Sequence, residues 1–230
     1  KILTVAVLFI AAASLQAQPL PYYQDAYNES GEDLREALYD IIKVHTRLSY
    51  SSSSTDTWDV LKVSDKDTTN TSNVCLIYAG VSVDGPQEYN NGQGWNREHV
   101  WAKSHGDFGN TIGPGTDVHA LRPCDVSVNS ARSNRWFAEC STEYIDGDGA
   151  TGCYTSSTEW VWKPNNNVKG DVARMIFYMA TRYEGEGMEP DLQIIDYLHI
   201  HNFNRFGIIH LLSHFRYIFV KSPHLIYLRS

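Results

Sequence analysis

The sequence predicts an α+β domain, on three observations. Apolar residues recur at helical spacing over 32–50 and again over 169–183. Between these stretches the apolar runs are short and broken by clusters of Gly, Pro and Asn, the punctuation of small strands. Residues 95–134 read locally as strand, loop, strand, helix. A chain of 230 residues, 42% hydrophobic and 20% charged, holds enough apolar mass for one such domain with its own core.

Taken in order, the N-terminus stands apart. Residues 3–13 are almost unbroken apolar sequence after Lys1, and small residues follow up to Ala17. That pattern is a secretory signal peptide, too short for a membrane span. The expected organisation is a leader at 1–17, a domain at 18–198 and an atypical tail at 199–230. In the helix expected at 32–50, Leu34, Leu38, Ile41, Ile42, His45 and Leu48 share a face, with Ser30 as cap. His45 on that face is a packed core residue. After a polar break at 51–54, strands are expected at 58–63 and 74–78. Residues 95–102 form the next strand, 103–116 a loop rich in Gly and Pro, and 117–121 a strand ended by Pro123. Asp125 or Ser127 then caps a helix over 126–134.

Residues 140–157 form a loop or small hairpin. There Asp146-Gly147-Asp148-Gly149 is a plain turn, lacking the acid an EF-hand needs at its twelfth position. Val172, Met175, Ile176 and Met179 make the apolar stripe of the helix at 169–183, and 191–198 reads as a shorter helix. From His199 onward the chain has no acid, four cations and five of its nine histidines. His210, His214 and Arg216 interrupt its apolar run, so no membrane span is expected.

An exported chain meets an oxidising compartment. Cys75, Cys124, Cys140 and Cys153 allow three pairings. Cys140 with Cys153 is the simplest, since turn residues lie between them, and it leaves Cys75 with Cys124; the plainer alternative is four free buried thiols. Their spacing does not resemble a zinc site. The net charge of −8 excludes a protein that holds nucleic acid by bulk charge. It leaves room for a local cationic strip: over 97–135, Arg97, Lys103, Arg122, Arg132 and Arg135 face only Glu98, Asp107, Asp117 and Asp125.

The chemistry concentrates in Trp95-Asn96-Arg97-Glu98-His99-Val100-Trp101 and in Asp117-Val118-His119-Ala120-Leu121-Arg122-Pro123, followed by Val128-Asn129-Ser130. An imidazole titrates near neutrality and can take a proton from water. A carboxylate and an amide oxygen suit a hard divalent cation. Together they are the parts needed to hydrolyse a phosphodiester. Adjacent residues of a strand point to opposite faces, so Glu98 and His99 serve one centre only if the strand end bends. The plainer alternative is a partly buried His paired with a carboxylate.

These segments, extended by Ser130-Ala131-Arg132-Ser133-Asn134 and by Val168-Lys169-Gly170-Asp171-Val172-Ala173-Arg174, resemble the endonuclease I family of secreted and periplasmic nucleases, members of the His-Me finger (ββα-metal) superfamily. The resemblance covers about 30–198. It implies an α+β fold with a His-Me finger core and surrounding helices, acting on DNA, RNA or both with little sequence preference. It implies His99 as general base, and Glu98 and Asn129 as the holders of Mg²⁺, with Ca²⁺ or Mn²⁺ as alternatives. Asp117 and His119 would support the finger. Arg122, Arg132 and Asn134 fall in motif positions that can contact phosphate, a structural salt bridge being the plainer role for Arg132. The loop arginine that some family members use is missing from 103–116, so its part falls to Lys103, Arg122 or Arg132, or is absent. The family's usual closing segment is missing after Leu198. A secreted monomer that needs no membrane follows, with two rivals. One is a nucleic-acid-binding protein of the same fold with impaired catalysis; the other is a metalloenzyme for small phosphodiesters.

Overall fold

The computed structural model describes residues 22–194. The expected boundaries at 17 and 198, and the tail beyond, lie outside the described residues. The architecture is mixed α and β, as expected.

Helix α1 (Gly31–Ile42) carries Glu32 and Asp33 in its first turn, where acids complement the helix dipole. It stops well short of residue 50. The carbonyl of Tyr50 accepts from Thr57 Oγ1 at 2.9 Å and from Arg97 Nη1, so residues 43–56 run as a connector instead. Residues 58–63, expected as a strand, lie in helix α2 (Thr57–Ser64). The reason is a reciprocal capping box. Asp56 Oδ1 accepts from Asp59 N at 3.4 Å, and from Trp58 N at 2.7 Å, while Asp59 Oδ2 accepts from Asp56 N at 3.2 Å. Leu61, fully buried, anchors α2; burying such a side chain contributes about 1.5–3 kcal/mol.

Strands β1 (Asn73–Cys75) and β2 (Ser82–Asp84) form an antiparallel pair. The central hairpin joins β3 (Trp95–His99) to β4 (Leu121–Asp125) in unbroken antiparallel register, from Trp95 opposite Asp125 to His99 opposite Leu121. Gly94 at its entry is obligatory, because a Cβ there would sit 1.7 Å from the Glu88 carbonyl oxygen. The second strand starts later than expected, and Pro123 lies inside it. Residues 117–120 are spent on a turn, closed by bonds from Ala120 N and Leu121 N to Asp117 O at 3.0 and 3.1 Å. Pro123 lacks a donor but its carbonyl accepts from Ile77 N at 2.8 Å.

Helix α3 (Val126–Arg132) follows at once, capped by Asp125 as expected. Strands β5 (Trp136–Phe137), β6 (Thr142–Asp146), β7 (Gly149–Ser156) and β8 (Val161–Lys163) form a sheet in the order β5-β8-β7-β6, with β5 and β8 parallel. Asp146-Gly147-Asp148-Gly149 is the turn between β6 and β7. Helix α4 (Lys169–Arg182) closes the order. Residues 191–194, expected to begin a helix, are not helical.

Three apolar clusters hold these parts. Cys124, Val128, Cys153, Trp162, Val172 and Met175 join β4, α3, the four-stranded sheet and α4. Trp101, Phe108, Ala120, Met179, Tyr183 and Leu192 pack the other end of α4 against the loops around the hairpin. Leu61, Val74, Leu76, Trp95 and Leu121 pack α2 onto the hairpin.

The expected disulfides do not form. All four cysteines are thiols. Register explains the first: Thr142 pairs with Thr155 and Glu143 with Tyr154, so Cys153 stands opposite the middle of β6 and not Cys140. Cys75 is exposed, whereas Cys124 is buried, and the two are not joined.

Candidate active site

The centre is built on β3, whose alternation sends Asn96 and Glu98 toward α3 and Arg97 and His99 the other way. On the α3 side two contacts run like rungs. Asn129 Nδ2 donates to Asn96 Oδ1 at 2.7 Å. Three residues on, and so on the same helix face, Arg132 Nη1 lies 3.2 Å from Glu98 Oε1. Glu98 is 2% exposed and Arg132 equally so. Tyr78 OH donates to the same Glu98 oxygen at 2.8 Å. Burial raises the Glu98 carboxyl above its ordinary range, against the pull of Arg132 and Tyr78. Tyr78 itself has φ 69, a left-handed backbone rare for an aromatic residue. Its carbonyl is pinned by Asn165 Nδ2 at 2.5 Å.

On the other side, His99 Nε2 lies 2.9 Å from the Gly115 carbonyl oxygen. An oxygen that can only accept fixes Nε2 as the protonated nitrogen and leaves Nδ1 with the lone pair. The ring stacks on Tyr50, centroids 5.7 Å apart, with Phe108 at 6.5 Å. Burial lowers the His99 pKa to about 4, and Lys103, Arg97 and Arg132 act in the same direction. The imidazole is therefore neutral at pH 7. Gly115 is required where it stands, since a Cβ would meet the Gly109 carbonyl oxygen at 2.6 Å.

Arginines secure both sides. Arg132 Nη1 and Nη2 donate to the carbonyls of His99 and Val100 at 3.1 and 2.8 Å, tying the Glu98 side to the strand end that carries His99. Its guanidinium also faces the Phe137 ring at 4.6 Å. Arg97 lies 3.4 Å from the Tyr50 ring and 4.1 Å from that of Trp58, and donates to Thr57 Oγ1 at 2.8 Å.

Of the residues singled out in the sequence, Glu98, Asn129 and Arg132 therefore share one side of β3, and His99 ends the same strand on the other, the chain bending at Val100 and Trp101 directly after it. Arg132, read as a phosphate contact, is spent on Glu98 and carbonyls beneath the surface. Arg122 stands opposite Glu98 in register, but its Nη1 bonds the Val118 and Leu121 carbonyls and its Nε lies 3.5 Å from Asp65. Asn134 bonds Ser104 and Trp160. Asp117 is buried and accepts from Tyr178 OH at 2.8 Å, Tyr183 OH at 2.9 Å and His119 N at 3.0 Å. Burial alone would raise its carboxyl, but the donors from His119 and Tyr178 outweigh that and hold it below its ordinary range. It is the anchor of the turn that leads into β4. Lys103, whose Nζ lies 5.9 Å from the Tyr50 ring, is the cation on the His99 side that reaches a loop. Sequence reasoning missed Tyr50, Tyr78 and Gly115; only the Gly113-Pro114-Gly115 run hinted that a backbone approach was needed there.

The oxygens on the α3 side fit a hard divalent cation. Asn129 has committed its Nδ2 to Asn96, so its Oδ1 and the Glu98 carboxylate are the acceptors on this side that could take such an ion. Among the described residues no group of three His, Cys, Asp or Glu side chains converges, so the set is one carboxylate with amides. Mg²⁺, which keeps several waters, suits such a set. No helix among the described residues is long and apolar enough to cross a membrane.

The Endonuclease I family model matches residues 30–213. The extracellular ribonuclease of Bacillus subtilis (strain 168) is 48% identical over 186 residues, covering 81% of this chain and 62% of its own length. That of Bacillus amyloliquefaciens is 49% identical over 175 residues, covering 76% and 57%. The chain thus spans about six-tenths of the length of these curated relatives.

Proposed function

The chain belongs to the endonuclease I family, and on that premise we propose that it is a secreted, divalent-metal-dependent nuclease with a His-Me finger at its centre, β3 and β4 being the two strands and α3 the helix. It hydrolyses phosphodiester bonds in DNA, RNA or both with little sequence preference; the names of the two Bacillus relatives favour RNA.

The observation that carries this reading is the bond between His99 Nε2 and the Gly115 carbonyl. It holds the imidazole in one tautomer, with Nδ1 ready to take a proton from the attacking water. Burial keeps the ring neutral, so no proton must first be lost at pH 7. Glu98 and Asn129 would hold the cation, which supplies positive charge to the phosphate and the leaving oxygen. Arg132 orients Glu98 and the strand end through its bonds to the carbonyls after it. Arg122 braces the start of β4. Lys103 is the side chain best placed to meet a phosphate oxygen. With a net charge of −8, binding depends on such local cations and weakens steeply with salt.

The test is cleavage of RNA and of plasmid DNA by the purified chain, with Mg²⁺ and with excess chelator. His99→Ala is expected to lower the rate by roughly 10²–10⁴-fold. Undiminished activity in chelator would overturn the metal role, and binding without cleavage under every metal would overturn the enzyme.

A further inference from the structure

Away from Glu98 and His99, the most unusual surface residue is Trp160, at the turn between β7 and β8. Its side chain is 40% exposed and its φ is 55. Left-handed backbone is strained for a bulky aromatic residue, and strain of this kind collects at functional sites. The exposed ring gains little from the core, yet it is held in place. Its Nε1 donates to Asn134 Oδ1 at 2.8 Å, and the Arg135 guanidinium lies 4.1 Å from its ring. Beside it, His105 stacks on Trp136 with centroids 3.6 Å apart and planes within 10°. These contacts lead back to the centre. Asn134 Nδ2 donates to Ser104 Oγ at 3.1 Å, Ser104 follows Lys103, and Lys103 reaches the Tyr50 ring that stacks on His99.

A rigid, exposed indole backed by a guanidinium is what an unstacked nucleobase binds, and a base inside a duplex cannot reach it. Resting on the nuclease reading above, we infer that Trp160 is a base-stacking subsite for an unpaired nucleotide flanking the scissile phosphate, so that the enzyme prefers single-stranded nucleic acid. Arg135 and Asn134 position the ring and do not themselves read the base.

The test is binding of a fluorescent single-stranded RNA and of a duplex of the same sequence, in a His99→Ala background that leaves the substrate intact. Trp160→Gly removes the ring and relieves the left-handed strain, which offsets the lost contacts to Asn134 and Arg135, so its melting temperature should change little. It is expected to weaken single-strand binding about tenfold and leave duplex binding unchanged. Trp160→Phe should recover most of the loss. Equal affinity of Trp160→Gly and its parent for the single strand overturns the subsite, as does an equal loss on both substrates. If the parent binds neither substrate and the native chain cleaves neither, the nuclease reading itself falls.

Discussion

On the α3 side of β3 a buried carboxylate meets a buried guanidinium, Glu98 with Arg132. On the other side Arg97 meets aromatic rings, hydroxyls and a carbonyl, and forms no ion pair among the described residues. The two sides solve different electrostatic problems. A cation site needs a carboxylate kept ionised while buried, which takes a charged partner. A general base needs an imidazole kept neutral, and a carboxylate beside it would favour the imidazolium. His99 accordingly has a backbone oxygen and rings for neighbours, with cations further out. Adjacent residues can therefore carry opposite requirements because the strand's alternation gives each its own set of contacts, with Arg132 as the side chain that reaches both.

The contrast can be broken from either side. Arg132→Ala strands Glu98 without its partner, and stability is expected to fall by about 3–5 kcal/mol, read from urea unfolding. A loss under about 1 kcal/mol would mean that Glu98 is already neutral in the native state. On the His99 side, Gly115→Ala forces the loop to move the carbonyl that His99 uses. Cleavage should slow by about 10–100-fold while affinity for RNA stays put, since only orientation is lost. A matching loss of affinity would show that the loop also binds substrate. Arg97→Ala is expected to cost about 2 kcal/mol and loosen Tyr50 from His99, with no change in the response to Mg²⁺. A changed metal response would mean that Arg97 also reaches both sides.

The smallest effect concerns Asp117, whose carboxyl is held below its ordinary value. A depressed carboxyl stabilises the fold above the unfolded-state pKa of about 4. That contribution is lost as pH falls through the lower folded-state value. Asp117→Asn should flatten this acid limb of the melting curve, and an unchanged limb would assign it to other carboxylates.

Legibility followed how local each cause was. The helix at 126–134 and the helix at 169–183 were read nearly to their ends, because Asp125 and the Val172–Met175–Met179 spacing lie within the segments themselves. The strand containing Glu98 and His99 was read from its own flanking glycine. The start of the second strand is not legible locally, because Asp117, which makes residues 117–120 a turn, is anchored by Tyr178 on α4 and by Tyr183 just after it. The short apolar run of helix α2 fits the periods of strand and helix alike, and the Asp56–Asp59 box is the arbiter. The disulfides were inferred from sequence separation, while side-chain direction depends on a register no spacing reveals. Within the site, the residue types in the motif were visible; Tyr50, Tyr78 and Gly115 reach it only through tertiary contacts.

The atom that orients His99 belongs to the main chain of Gly115. No codon change at that position deletes a carbonyl, so a substitution there, Gly115→Ala included, can act on the imidazole's tautomer only by displacing the loop. Most such displacements also strain the loop's tight turns. The orientation of His99 thus depends on the path of a loop, whereas the opposite side of β3 is written in the side chains of Glu98, Asn129 and Arg132, each of which one substitution removes.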